Sequence, residues 1–137
     1  MNKLPAHSVS AGASEKVSRL RQELKRLLDE HGAHCWQIAD SGPMMRGSFY
    51  QVFKTCAYPG CRCHKGERHG PFPALSWTVG GKCRMVMVRA KDVARVEVAA
   101  ASFKRFQKGM TRIRRCAKQI EHTLEAIRVL LLTVEYR

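Results

Sequence analysis

The sequence predicts an α+β protein, with an N-terminal helix, a small three-stranded antiparallel sheet carrying a zinc knuckle, and a long C-terminal helix of coiled-coil type. Three observations predict it. Apolar residues recur at helical spacing near both ends of the 137-residue chain. The middle instead carries short runs of aromatic and β-branched residues punctuated by glycine and proline. Between two of those runs, from Cys56 to His69, three thiols and two imidazoles fall within fourteen residues.

Residues 1–13 are small and polar and read as a disordered lead-in. Residues 14–40 read as a helix and a link. Ser14 is the expected N-cap, Val17, Leu20, Leu24, Leu27 and Leu28 make one apolar face as far as about Glu30, and Gly32 is the expected stop. His31, His34, Cys35 and Trp36 then fall in a short irregular link.

Residues 41–91 form the β module. Gly47–Thr55 (GSFYQVFKT), Ala74–Val79 (ALSWTV) and Lys82–Arg89 (KCRMVMVR) are the three strand candidates. Gly80-Gly81 is a two-residue hairpin signal that would set Trp77 opposite Arg84 and Leu75 opposite Val86.

Residues 92–137 turn helical again, with Val93, Val96, Ala100 and Phe103 on one face. After an irregular step at Phe106, Met110, Ile113, Ala117, Ile120, Leu124, Ile127, Leu131 and Val134 follow a 3-4 repeat, the pattern of an oligomerisation seam. Gly109, costing about 1 kcal/mol against alanine in a helix interior, is the expected hinge or break. A first helix ending at Glu30 is too short to cover this seam. A second subunit or a larger protein partner is therefore expected there, with packing on the first helix the alternative for its N-terminal half.

Charge narrows the function. The net charge is +14, of which residues 41–91 carry +8, with Glu67 their only acid. Such a balance favours polyanionic partners. No apolar run is long enough to span a membrane and the first residues lack the apolar core of a secretory signal, so a cytoplasmic protein without a membrane partner is expected. In that setting clustered cysteines point to a metal rather than to disulfides.

The expected ligands are Cys56, Cys61, Cys63 and His69, holding a structural Zn²⁺ with no open coordination position. His64 follows Cys63 directly, and sharing one ion would strain the backbone. His31 or His34 is the alternative fourth ligand. Lys54, Arg62, Lys65 and Arg68 would offset the excess negative charge of three thiolates. Cys35, Cys83 and Cys116 read as small apolar residues.

A second constellation is purely basic. No acid lies between Glu97 and Glu121, an interval holding Lys104, Arg105, Lys108, Arg112, Arg114, Arg115 and Lys118. Lys104, Lys108, Arg112 and Arg115 share one helix face, where like charges repel by a few tenths of a kcal/mol per pair, roughly, unless a polyphosphate relieves them. Lys82 and Arg84 add to the sheet's charge. Phe49, Tyr50 and Trp77 could stack on bases, but a small sheet needs such residues for its core.

Taken together, Arg46-Gly47-Ser48, Cys56, Cys61-Arg62-Cys63, Gly66, His69-Gly70-Pro71, Leu75-Ser76-Trp77 and Gly81-Lys82 resemble a family of small uncharacterised bacterial proteins. That family has an R-G-S strand, a C…C-x-C knuckle, an H-G-P turn, an aromatic strand and a helical tail. The resemblance spans about residues 45–108. It implies the same fold and an intracellular bacterial or mobile-element setting, and carries no activity with it.

No Walker, Rossmann or nucleophile-elbow motif occurs. A His-centred nuclease built on His64 or His69 with Glu67 is the enzymatic alternative, and it lacks a carboxylate set for divalent metals. The expectation is a non-catalytic, zinc-stabilised nucleic-acid-binding protein, DNA favoured over RNA, that assembles through its C-terminal helix. An adaptor for a larger nucleic-acid enzyme, such as a mobile-element recombinase, is the second expectation.

Overall fold

The computed structural model describes residues 10–132. In chain order these form α1 (Ala11–Ala39), β1 (Ser48–Lys54), β2 (His69–Val79), β3 (Lys82–Met87) and α2 (Val93–Leu131), with short 3-10 turns at Arg62–Lys65 and Ala90–Asp92. They divide into two compact units. One contains α1 and α2 from Gly109 onward, and the other runs from Asp40 to Lys108.

In the helical unit, α1 begins three residues before the expected cap. Ser10 takes that role, its Oγ accepting a hydrogen bond from the Ala13 N–H at 3.3 Å. The helix also runs straight through Gly32, so His31, His34, Cys35 and Trp36 are helical rather than a link. The reason is the continuing apolar repeat. Val17 and Leu27 are buried, Leu20, Leu24, His31, Cys35 and Ile38 are half-buried, and packing along that stripe outweighs one glycine.

The extra length of α1 covers the start of the C-terminal seam. Ile38 packs at Gly109, and the Cys116 thiol donates to the Leu27 carbonyl at 3.3 Å, so the two helices run antiparallel. The stripe that α1 meets is Gly109, Ile113, Cys116, Ile120 and Thr123. Of the expected seam, Met110, Ile113, Ile120 and Ile127 are half-buried, whereas Ala117, Leu124 and Leu131 are exposed. Val134 lies outside the described residues.

Nor does α2 break at Phe106 or Gly109. Gly109 is buried, and a Cβ there would collide with Ile38 Cγ2. The glycine permits a close approach of the helices.

The other unit holds the sheet, in the order β1-β2-β3 with both pairs antiparallel. The hairpin register is the expected one, Trp77 opposite Arg84 and Leu75 opposite Val86. Gly80 and Gly81 have φ of 55° and 75°, which suits a two-residue turn whose twist matches the strands. β2 starts at His69 rather than Ala74, because residues 69–73 continue to pair with β1.

On one face of the sheet Leu75 joins Val96 and Ala100 of α2 in a core flanked by Met45, Phe49, Trp77 and Val88. Phe49 and Trp77 are therefore core residues. The Met45 N–H donates to the Ala99 carbonyl at 3.1 Å and ties the lead-in of β1 to the first turns of α2.

Candidate metal centre

An antiparallel pair of strands can be joined by two residues, yet β1 and β2 are separated by fourteen. The connection folds on local turns. The Cys61 N–H donates to the Tyr58 carbonyl at 3.2 Å, closing the Pro59-Gly60 turn. A 3-10 turn follows, with the His64 N–H donating to the Cys61 carbonyl at 3.3 Å, and it carries Cys63 inward to 2% exposure.

Cys56 lies two residues beyond β1, and His69 opens β2 opposite Lys54. Strand pairing thus brings the two ends of the connection together, and the turns return Cys61 and Cys63 between them. The four ligand atoms all lie within 4.8 Å of one another.

The distances suit a tetrahedral ion. Cys56 Sγ and Cys63 Sγ are 3.5 Å apart, and Cys61 Sγ is 3.3 Å from His69 Nε2. A tetrahedron with metal–sulfur and metal–nitrogen bonds of zinc-like length has edges of about 3.5–3.8 Å. His64 takes no part, its Nε2 lying 2.9 Å from the Tyr58 carbonyl. On α1, His31 Nδ1 is 3.8 Å from Cys35 Sγ, and His34 Nε2 is 3.6 Å from Glu30. Residues 56–69 supply all four donors of the cluster, so neither α1 histidine is needed.

The site favours deprotonation at Cys61 and opposes it at Cys63. The Cys63 backbone N–H beside Cys61 Sγ is the main cause that brings the Cys61 thiol down to about 6, helped by the Cys63, Cys56 and His69 side chains. At Cys63 the Cys56 N–H, 3.3 Å from its sulfur, favours the thiolate. Burial and the adjacent Cys56 and Cys61 sulfurs outweigh it, and the Cys63 thiol sits above its ordinary range. Crowded thiols of this kind are relieved when a cation replaces their protons.

The remaining cysteines stand apart from the cluster. Cys116 is buried, which pushes its thiol up, and Cys35 is half-buried. Cys83, expected as a small apolar residue, is exposed, because every residue of the edge strand β3 is exposed.

The basic residues singled out in the sequence are all exposed: Lys54, Arg62, Lys65 and Arg68 around the cluster, Lys82 and Arg84 on β3, and Lys104, Arg105, Lys108, Arg112, Arg114, Arg115 and Lys118 along α2. Among the described residues none of them forms an ion pair with a carboxylate; the pairs fall instead to Arg19, Arg26, His34, Arg95 and Arg128. Lys104 and Lys108 share a face of α2 within the sheet unit, as Arg112 and Arg115 do within the helical unit.

Two contributors were missed in the sequence. Tyr58, through its carbonyl, fixes both the turn and His64. Arg46 donates from Nη2 to the Thr78 carbonyl at 3.1 Å, bridging the start of β1 and the end of β2. An Arg-Gly step before a strand was the available signal for the latter.

Fold and site together define an α+β protein with a Cys3His cluster, able to hold a metal ion, between the first two strands of a three-stranded sheet. The chain belongs to the family described as Domain of unknown function (DUF6788), which matches residues 14–98. The match takes in α1 from Ser14 onward, the whole sheet and the start of α2, and so extends further toward the N-terminus than the motifs did. No curated protein and no solved structure matches the chain. Among the described residues no helix is long and apolar enough to cross a membrane.

Proposed function

We propose that this protein is a non-catalytic nucleic-acid-binding module whose sheet is stapled by a structural Zn²⁺ at Cys56, Cys61, Cys63 and His69, with DNA favoured over RNA. Zinc is the best fit to three thiolates and one imidazole at tetrahedral spacing, and four protein donors leave no place for a reacting water. The observation that carries the nucleic-acid reading is the set of exposed cations without carboxylate partners. Among the described residues Glu15, Glu23, Glu30, Asp92 and Glu125 pair with other arginines, and the sheet module and the 104–118 stretch of α2 keep a large excess of positive charge. Phosphates are the ligands that such charge recruits, with counterion release as the driving force.

The test is charge reversal of Arg112, Arg114 and Arg115 together. The triple variant should lose most of its affinity for a labelled DNA duplex at moderate salt while retaining its zinc. Unchanged affinity would refute the role of α2.

The second reading, an adaptor docking a larger nucleic-acid enzyme, is favoured by the exposed apolar residues near the end of α2. Leu124, Val129, Leu131 and Leu132 are between 44% and 61% exposed. A nuclease-resistant complex with one protein partner, formed by a chain that itself binds no nucleic acid, would favour this reading over the first.

A further inference from the structure

One face of the sheet packs on α2; the other does not. Strand pleating assigns residues to that second face by their register. Tyr50, Ala74 and Met87 lie in one row, Ser48, Ser76 and Met85 in the next, and Val52 with Phe72 on the opposite side. Ala74 at the centre is fully covered by its neighbours, yet Tyr50 is 39%, Phe72 40%, Met85 46% and Met87 40% exposed. The Tyr50 hydroxyl lies 3.1 Å from Met85 Sδ, which holds the ring across the strands. The result is an apolar, ring-bearing surface left open on a strongly basic module, and contiguous patches of this kind mark binding sites.

Cations stand at both ends of this face. Lys54 lines a recess of about 280 Å³ with Phe72 and Met87. At the other end Arg46, held by its bond to the Thr78 carbonyl, lines a recess of about 400 Å³ with Ser48, Ser76 and Cys83, which continues past Trp77 to Phe103 and Lys104 on the α2 side. The rows from Phe72 to Thr78 span roughly 20 Å.

We infer that this open face is a stacking platform for single-stranded nucleic acid, with Tyr50 and Phe72 receiving bases and Lys54 and Arg46 meeting the flanking phosphates. The inference rests on the proposed nucleic-acid function and narrows its ligand. Charge complementarity selects a polyanion, and the exposed rings select one whose base faces are free. In a duplex those faces are stacked on each other and out of reach, whereas in a single strand each base can lie on a ring. DNA and RNA single strands share this chemistry.

The experiment uses the full, zinc-loaded chain and fluorescence anisotropy with labelled oligothymidylate, oligouridylate and a mixed-sequence duplex, each about 12 nucleotides long, within the site size of such platforms. The single strands should bind more tightly than the duplex, with the two single strands compared to set the sugar preference. Tyr50→Ala and Phe72→Ala should each weaken single-strand binding on the order of tenfold or more, and Tyr50→Phe and Phe72→Tyr should retain it. Photo-crosslinking of oligothymidylate to the unaltered chain should mark peptides carrying Tyr50 or Phe72, which guards against a variant that merely misfolds. Full affinity in both alanine variants, or crosslinks confined to α2, would overturn the platform while leaving the nucleic-acid function standing. Binding of none of the three probes would overturn both.

Discussion

At the scale of single residues, the cluster divides its work. His69 is placed to be a ligand because it opens β2 beside the end of β1, and His64 is not, because the Tyr58 carbonyl holds its Nε2. Cys61→Ser or His69→Ala should therefore lower bound zinc well below about one ion per chain and destabilise the sheet, while His64→Ala leaves the metal in place. Metal analysis of the three purified variants checks this. The thiols also predict a pH dependence for the chelated protein. Cys61 in the folded chain titrates near 6 against an ordinary 9.0, so between those values the unfolded chain binds more protons and stability rises with pH. That contribution is complete above the ordinary value and lost as pH falls through about 6. Cys63, shifted upward, opposes it only as pH climbs past the ordinary range. Urea midpoints of the chelated protein across this window should rise with pH, and a flat profile would show that the Cys61 environment is not formed without metal.

At the scale of elements, packing overrules propensity where the helices meet. Gly109→Ala improves intrinsic helix propensity by about 1 kcal/mol, yet it drives a methyl into Ile38. Overpacking costs roughly 1–3 kcal/mol, so the variant should melt at a lower temperature, and Ile38→Ala introduced with it should recover part of the loss. A Gly109→Ala protein more stable than the original would contradict the close approach. The same contact explains what could be read in the sequence and what could not. The hairpin was legible down to its register, since two glycines allow only one short turn and the alternation around Trp77 has only one phase. The end of α1 was not, because Gly32 is a stop by local rules and the reason to continue, Ile38 meeting Gly109, is a contact between residues distant in sequence. The heptads of α2 were legible as a repeat, but its phase was read from Met110, Ala117 and Leu124, whereas α1 covers the residues one position earlier, Gly109, Cys116 and Thr123.

At the scale of the whole molecule, the metal cluster was legible because its ligands crowd one loop, and charge was legible as a sum. Which face of the sheet stayed open was not, since Phe49 and Tyr50 look alike until the strand register assigns them opposite sides. A net charge of +14 with its excess on the sheet module and α2 makes electrostatics the account's central claim. The measurement that tests it most directly is the affinity of the nuclease-treated, zinc-loaded chain for a labelled oligonucleotide as salt is raised. The account predicts a linear fall of log K with log salt, with a slope of at least about −4, as several phosphates are neutralised at once. No binding at low salt, or binding that salt leaves unchanged, would contradict it.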